Sequence, residues 1–585
     1  MKLPTLNELD TQRTMIDVFK GYNHNLRIGE GEFYDMMNLS SSGYPVLTTR
    51  QHRSVYVGAN NKILALARYD NLCYIDGSDF VVDEYPVKMG LSTAEEDCPK
   101  QIIRMGAYAI IMPDKMYINL TDLTDFGNIE ATLTTSTTVS FEMCKVDGTL
   151  YGDITVSPEQ PSDPVNMALW IDTSSEPHTL KQYSESAELW VSIATTYVKI
   201  SATGIGKPFS VGDGVYIEGI TNAQIADLNG NYSVIWDKGD DYIVVIGILD
   251  VATSQTTAVT VSRRMPNMDF VIESENRLWG CRYGVALNGE VVNEIYASKL
   301  GDFRNWNCFA GISTDSYAVT VGTDGQFTGA VTHLGHPIFF KENYLHKIYG
   351  NYPANYQVNT TACRGVQRGS HKSLAIVNEV LYYKSRSSVC AYDGSLPQEI
   401  SYALGDVAYS EAVAGSHGNK YYISMKNNET DEWAFFVYDA PKGLWHKEDS
   451  ERVYDMCSCR GKLYYIMERG STYIVTAQGT DDNWDGQTPW MAETGIIGTD
   501  SPDKKYISKL NVRMSLGIGS TASFSIQYDS MGEWENLCSM TGTTLRTFTV
   551  PIRPKRCDHL RLRIEGMGEA NIFSIAKTIE QGSDV

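Results

Sequence analysis

Residues 373–394 read SLAIVNEVLYYKSRSSVCAYDG: a short apolar run, a turn, an aromatic-rich run, and an ending on Asp393-Gly394. The pattern is that of paired β-strands, because β-branched and aromatic side chains suit a pleated surface and Gly suits a tight turn. It recurs along the chain. Earlier copies occupy 62–77 (KILALARYDNLCYIDG), 101–119 (QIIRMGAYAIIMPDKMYIN), 269–298 (with ENRLWGCRYG and NEIYAS) and 327–350 (FTGAVTHLGHPIFFKENYLHKIYG). Later copies occupy 411–439 (with GNKYYISM and WAFFVYD) and 452–475 (RVYDMCSCRGKLYYIMERGSTYIV).

From the third copy on, the starts recur at roughly the period of four-stranded propeller blades, about 40–50 residues. A lone four-stranded sheet exposes both faces, and radial packing of blades buries them. Gly418-Asn419 and Gly461-Lys462 fall where tight hairpin turns belong. Trp279, Trp306, Trp433 and Trp445 are expected to pack between blades rather than to form a sugar platform.

The regularity breaks twice. Residues 127–265 begin Thr/Ser-rich (IEATLTTSTTVSFEM) and then alternate with period two through TTYVKISATGIGKPFSVGDGVYIEGI and NGNYSVIWDKGDDYIVVIGIL. This segment reads as a small β-barrel or sandwich inserted into a propeller loop, where host strands stay paired. After residue 480 a Gly/Asp/Pro-rich crossing leads into KKYISKLNVRMSLGIG, ASFSIQYDS, TLRTFTVPI and HLRLRIEGMG. These four alternating strands read as a C-terminal β-sandwich. The expected fold is all-β: a β-propeller of about six to seven blades with an inserted small β-domain and a C-terminal β-sandwich. Its parts are an N-terminal arm (1–50) closing onto the propeller, first blades (51–126), insert (127–265), remaining blades (266–480) and sandwich (481–585).

Composition agrees with this reading. The 585 residues include 36 Tyr against 17 Phe, 49 Gly, and 42% hydrophobic residues, and long Ala/Glu/Lys/Leu-rich helical stretches are missing. The formal net charge is −22, from 49 Lys plus Arg and 71 Asp plus Glu. No sustained basic run offers a grip on nucleic acid. The acid excess reads as solubility, or as the lining of a channel along which a polyanion slides. The opening MKLPTLNELDTQRTMIDVFKGYNHN lacks an apolar signal core, and no apolar window is long enough to span a membrane. Eleven Cys, an odd number at irregular spacings, read as reduced thiols of a protein made in a cytoplasm.

Residues 21–53 (GYNHNLRIGEGEFYDMMNLSSSGYPVLTTRQHR) resemble the opening of phage tail proteins of the nozzle, or tail-stabilisation, type, through Asn38-Leu39, Tyr44-Pro45 and Thr49-Arg50. Residues 277–306 (RLWGCRYGVALNGEVVNEIYASKLGDFRNW) carry a more specific likeness in Tyr296, Ser298, Asp302, Phe303 and Trp306. Lys347-Ile348-Tyr349-Gly350 and the insert phrase GKPFSVGDGVYIEGI are similar to elements of tail proteins as well. The resemblance implies a structural virion protein made in a bacterial host. It implies a ring of copies, commonly six, that seals and guides DNA exit and docks neighbouring tail, adaptor or receptor-binding proteins. Double-stranded DNA would pass without specific binding. It implies no catalytic residue, cofactor or metal.

Motifs for chemistry are incomplete. A propeller glycosidase needs two facing carboxylates. The acids here fall in loop clusters, Glu95-Glu96-Asp97 and Asp237 with Asp240-Asp241, which read as solvated faces. Asp529-Ser530-Met531-Gly532-Glu533-Trp534 faintly resembles a sialidase Asp box, but occurs once and outside the propeller. Asp481-Asp482-Asn483-Trp484-Asp485-Gly486 opens like a calcium loop, yet the twelfth position is Ala492 and Glu493 comes one place late. Cys457-Ser458-Cys459 spaces its thiols too closely for a zinc knuckle and places both on one strand face. Ser416-His417, His333 and His336 lack the companions of a nucleophile. Arg553-Pro554-Lys555-Arg556, with Arg561 and Arg563, is a basic patch that reads as a solvated face or a dock for an acidic neighbour. The chain is therefore expected to be non-enzymatic, with no catalytic, cofactor or metal residues. Two other readings compete: a glycan-binding adhesin or glycosidase-like propeller at the tail tip, and a scaffold propeller, the latter lacking repeated Gly-His and Trp-Asp signatures.

Overall fold

The computed structural model describes residues 11–59, 61–93, 99–285, 289–469, 472–478, 486–499, 504–542 and 544–581. The seven sequence repeats become seven four-stranded antiparallel blades among the described residues, spanning 63–87, 101–128, 270–320, 327–362, 375–399, 409–449 and 453–478. We number them 1 to 7 in that order. In blades 1 to 6 the strands run consecutively from the axis outward. Blade 7 has three of its own strands and takes its fourth from Arg53–Ala59, which pairs antiparallel with Thr472–Gln478.

Alternation explains why blade strands are apolar on both sides. In blade 4, Ile338 and Phe340 pack with Leu381 and Tyr383 of blade 5, while Phe339 between them packs with Trp279 and Ile295 of blade 3. In blade 7, Leu463, Tyr465 and Met467 face blade 6, whereas Tyr464 and Ile466 face blade 1. Each junction around the ring is a hydrophobic cluster of this kind, so both faces of every inner sheet leave water. Trp279, Trp306 and Trp445 are buried in such junctions. Trp433 is half-buried beneath the Arg452 guanidinium, 4.9 Å from its ring centroid.

The inner strands of blades 1, 4, 6 and 7 share a β-bulge near their starts, between Ile63 and Ala65, Phe327 and Gly329, Ser410 and Val413, and Val453 and Asp455. A bulge releases a residue from the ladder and re-aims its side chain. The released residues include Leu64, Thr328, Glu411 and Tyr454, all near one face of the ring. We call it the loop face, where connections enter each inner strand.

The expectation that residues 1–50 close onto the propeller is corrected. Arg53–Ala59 performs the closure, and the strands before it build a sandwich with the C-terminus. One sheet runs Leu39–Ser40, Leu47–Thr49, Ala570–Gln581, Lys505–Leu516, Arg546–Val550, with Thr11–Ile16 also on Ala570–Gln581. The other runs Gly21–Tyr22, Glu32–Met37, Pro489–Thr494, Leu560–Met567, Thr521–Tyr528, Glu535–Thr541. The reason is burial: Phe19, Tyr22, Phe33, Met36, Leu39 and Leu47 all enter one core with Trp490, Ile564 and Ile572. That core continues into blade 6 through Phe436 and Trp445. At this junction Gly21 has φ +80, and a Cβ there would lie 2.3 Å from the Trp445 carbonyl oxygen, so no larger residue fits.

The strands between residues 131 and 263 form three sheets around a separate core that includes Phe141, Ile200, Val215 and Val261. Asp213 anchors this insert. Its carboxylate takes a 2.6 Å bond from buried Arg263 and a 2.9 Å bond from Asn305 Nδ2, within the long loop of blade 3.

Candidate functional site

The propeller's axis is filled. A short 3-10 turn, His371–Ser373, enters from the connection between blades 4 and 5 and reaches blades on both sides. Lys372 Nζ donates to Asp455 Oδ2 (3.1 Å) and to the Tyr454 carbonyl (3.0 Å) of blade 7. The His371 ring sits 5.4 Å from Phe270 of blade 3. Ser370 Oγ accepts from the Ala412 N–H of blade 6, and Tyr421 donates to the Ser373 carbonyl.

Cavities open in the sandwich, in the insert and at blade junctions on the loop face. One lies between blades 5 and 6, a cavity of about 600 Å³. Its floor is apolar, from Val389, Leu404, Tyr409 and Met425. Its walls carry Lys384, Arg386, Asp406 and Glu429, with Asn25 arriving from the sandwich side. Asn25 is placed there by its Nδ2 bond to the Tyr402 carbonyl (2.9 Å). Tyr402, 77% exposed, presents an aromatic ring at the rim. Lys384 is buried at the end of its strand, donating to the Ser385 carbonyl (2.5 Å) and to Gln367 Oε1 (3.2 Å). Burial pushes its ammonium down to about 8. Glu399 is held by Arg364 at 2.8 Å. An apolar floor, a few converging polar groups and an aromatic rim are the ordinary ingredients of a small-molecule site. The sequence reading singled out none of these residues as a site; they come from strand ends and loops of two blades, whose approach to one another leaves no local pattern.

The residues singled out from sequence lie elsewhere. Asp237 accepts from Tyr242 and Asp241 from the Gly204 N–H, so both brace turns of the insert. Asp529 accepts from the backbone of Asp558 and His559, and Trp534 lies under the Arg563 guanidinium at 4.1 Å. Cys459 and Cys457 share the packing between blades 7 and 1. His417 shares a 2.9 Å bond with Ser458 of the next blade; His333 pairs with the Glu379 carbonyl and His336 with the Ile348 carbonyl. The acidic run 95–97 and residues 481–485 of the calcium-like loop lie outside the described residues. Glu493, read as a late calcium ligand, is bound by both Arg561 (3.0 Å) and Arg563 (2.8 Å). Those two arginines are therefore committed within the sandwich rather than offered to a neighbour. Among the described residues no group of three or more His, Cys, Asp or Glu is arranged to hold a metal ion. No described helix is long and apolar enough to cross a membrane.

No family model and no curated protein matches the chain. Solved structures do. An exo-β-1,3-galactanase from Phanerochaete chrysosporium is similar at 9% identity over 52% of this chain and 94% of its own, with a TM-score of 0.21. A β-fructofuranosidase from Bombyx mori is similar at 7% identity over 44% of this chain and 91% of its own (TM-score 0.17). A Trypanosoma rangeli sialidase mutant with trans-sialidase activity is similar at 8% identity over 98% of this chain and 96% of its own (TM-score 0.19). These structures are glycoside hydrolases, against the expectation of a non-enzymatic chain, and at such identities the likeness bears on the fold alone. Scores this low transfer no residue roles.

Proposed function

We propose that the chain is a carbohydrate-engaging β-propeller protein of a phage tail tip, with its saccharide site in the cavity between blades 5 and 6. The observation that carries this is the convergence, in one cavity of about 600 Å³, of an apolar floor, an exposed Tyr402 ring and the Asp406 and Glu429 carboxylates. Sugars present apolar faces that stack on aromatic rings and hydroxyls that pair with carboxylates and amides. Two carboxylates are also the minimum for glycoside hydrolysis, one giving a proton to the leaving oxygen and the other taking one from water. The test is a glycan array and a hydrolysis assay on the full chain, beside Y402A and the D406N/E429Q double variant. Saccharide binding lost in Y402A, or turnover lost in the double variant, supports the reading. An intact chain that neither binds nor cleaves any saccharide overturns it.

A second reading, a ring-forming tail subunit of nozzle, hub or adaptor type, is favoured by where the residues of the sequence resemblance fall. Asn38 joins the sandwich's two ends, accepting from Arg50 Nε (2.6 Å) and donating to the Pro489 carbonyl (2.8 Å). Phe303 and Trp306 are buried with Met265 and Met268 where the insert meets the propeller. The likeness thus concerns architectural joints. In this reading six copies surround the DNA path and dock neighbouring tail proteins in the virion, since the filled axis leaves no passage through one propeller. Mass measurement and electron microscopy of the purified chain test it: rings with an open lumen support it, and a strict monomer counts against it.

A further inference from the structure

A second cavity on the loop face, about 360 Å³ between blades 3 and 4, contains two buried groups whose bonding is unfinished. Thr328, 4% exposed, is the bulge residue of blade 4's inner strand, and its hydroxyl is buried without a hydrogen-bond partner. A buried hydroxyl left unpaired costs about 1–3 kcal/mol, so such atoms are rare and call for a reason. Lys341, 1% exposed, pairs with Phe327 across the same bulge.

The Lys341 ammonium donates to Asn293 Oδ1 (2.9 Å) and to the Thr323 carbonyl (2.6 Å). It lies 4.7 Å from the Phe327 centroid and 5.1 Å from the Tyr283 centroid. Both oxygens it reaches are neutral, so two of its three protons are spent without cancelling its charge. Burying an ammonium whose hydrogen-bond partners are all neutral is costly; the Asp324 carboxylate offsets part of that cost through space, and a directly bound anion would offset more. Arg368 lines the same cavity and adds a second cation; Asp324 and Glu342 line it too. Glu342 Oε1 accepts the Arg368 N–H at 3.2 Å and so braces the loop.

We propose that this cavity binds a small oxyanion group, such as the carboxylate of an acidic sugar or a phosphate, with Thr328 Oγ and Lys341 Nζ as donors and Arg368 at the mouth. One bound oxygen would satisfy the orphan hydroxyl and neutralise the buried ammonium together. The site is separate from the cavity between blades 5 and 6, and the proposal does not depend on that reading.

Titration calorimetry of the full chain with glucuronate, glucose and inorganic phosphate tests it. The expected result is saturable binding of glucuronate or phosphate and none of glucose. Glucuronate without phosphate identifies an acidic-sugar source; phosphate binding identifies a free oxyanion source. T328V, nearly isosteric, is expected to weaken binding about tenfold, the size of one charge-assisted hydrogen bond, while T328S restores it. D406N/E429Q is expected to bind the anion unchanged, which separates failure here from failure of the saccharide site. The proposal is overturned if neither anion binds the intact chain, or if T328V binds as tightly as the parent.

Discussion

Lys372, from the connection between blades 4 and 5, pairs across the propeller's middle with Asp455 of blade 7 at 3.1 Å. The same Asp455 Oδ2 also accepts the Leu66 N–H of blade 1. One carboxylate thus ties the filled axis to the two blades that meet where the ring is closed. D455N keeps the side-chain size but removes the charge, leaving a half-buried ammonium without its partner. We expect a loss of about 1–3 kcal/mol, read as a lower midpoint in urea with an unchanged slope. A variant as stable as the parent would mean that the plug is held by packing alone.

Arg53 secures the closing strand itself. Its guanidinium is buried, with Nη2 2.8 Å from Glu448 and Nη1 2.5 Å from Asp449 of blade 6. R53M would take the Arg53 guanidinium away from buried Glu448 and from Asp449, and removing one partner of a buried pair typically costs about 3–5 kcal/mol. Limited proteolysis should then cut first near the released Arg53–Ala59 strand. Parent-like resistance would show that pairing with Thr472–Gln478 suffices.

Buried His346 and His446 and partly buried His371 set an acid limit. Burial pushes His346 down to about 4 and His371 and His446 down to about 3, with Lys341, Lys372 and Lys420 respectively adding to the effect. In the unfolded chain each would take a proton near pH 6.5. Below that pH the unfolded state binds more protons, so stability is complete above about 6.5 and falls as pH drops toward 4. Each fully engaged histidine contributes a slope of about 1.4 kcal/mol per pH unit. Unfolding free energies between pH 7 and 5 check this, and H371Q should reduce the slope by one proton's worth.

The thiols offer a simpler probe. Burial pushes Cys73 and Cys308 up to about 12, and Cys144 and Cys557 up to about 11. The thiolate is the reactive form. At pH 8 an aromatic disulfide reagent should leave these four unlabelled in the native chain and modify them promptly in denaturant. Rapid native labelling of Cys73 would contradict its place between blades 1 and 2.

The propeller was legible because its signal is local. The inner blade strands must bury both sides, so runs such as Ile338-Phe339-Phe340 are apolar throughout, and hairpins mark their own turns. His417 pairs with Lys420, placing Gly418-Asn419 in the turn; Cys459 pairs with Lys462, placing the next turn at Arg460-Gly461, one residue before the expected pair. The sandwich's composition was illegible because Leu47 pairs with Ile572, and a strand does not advertise so distant a partner. The same holds for Glu493, whose neighbours Arg561 and Arg563 face it from across a sheet. The cavities were illegible for a different reason. Their polar residues come from strand ends and loops of separate blades, and Thr328 gains its place from a bulge that period-two alternation does not foresee.

Because the sandwich takes strands from both ends of the chain, biosynthesis has a fixed calendar. Gly21–Tyr22, Glu32–Met37 and Leu47–Thr49 leave the ribosome long before Pro489–Thr494 and Ala570–Gln581, the strands they must join, exist. Arg53–Ala59 likewise waits for Thr472–Gln478. The earlier-made strands therefore wait as unpaired strand edge until their partners emerge, exposed to other nascent chains on the same messenger. A chaperone, or slow initiation that spaces ribosomes apart, would guard it during that interval.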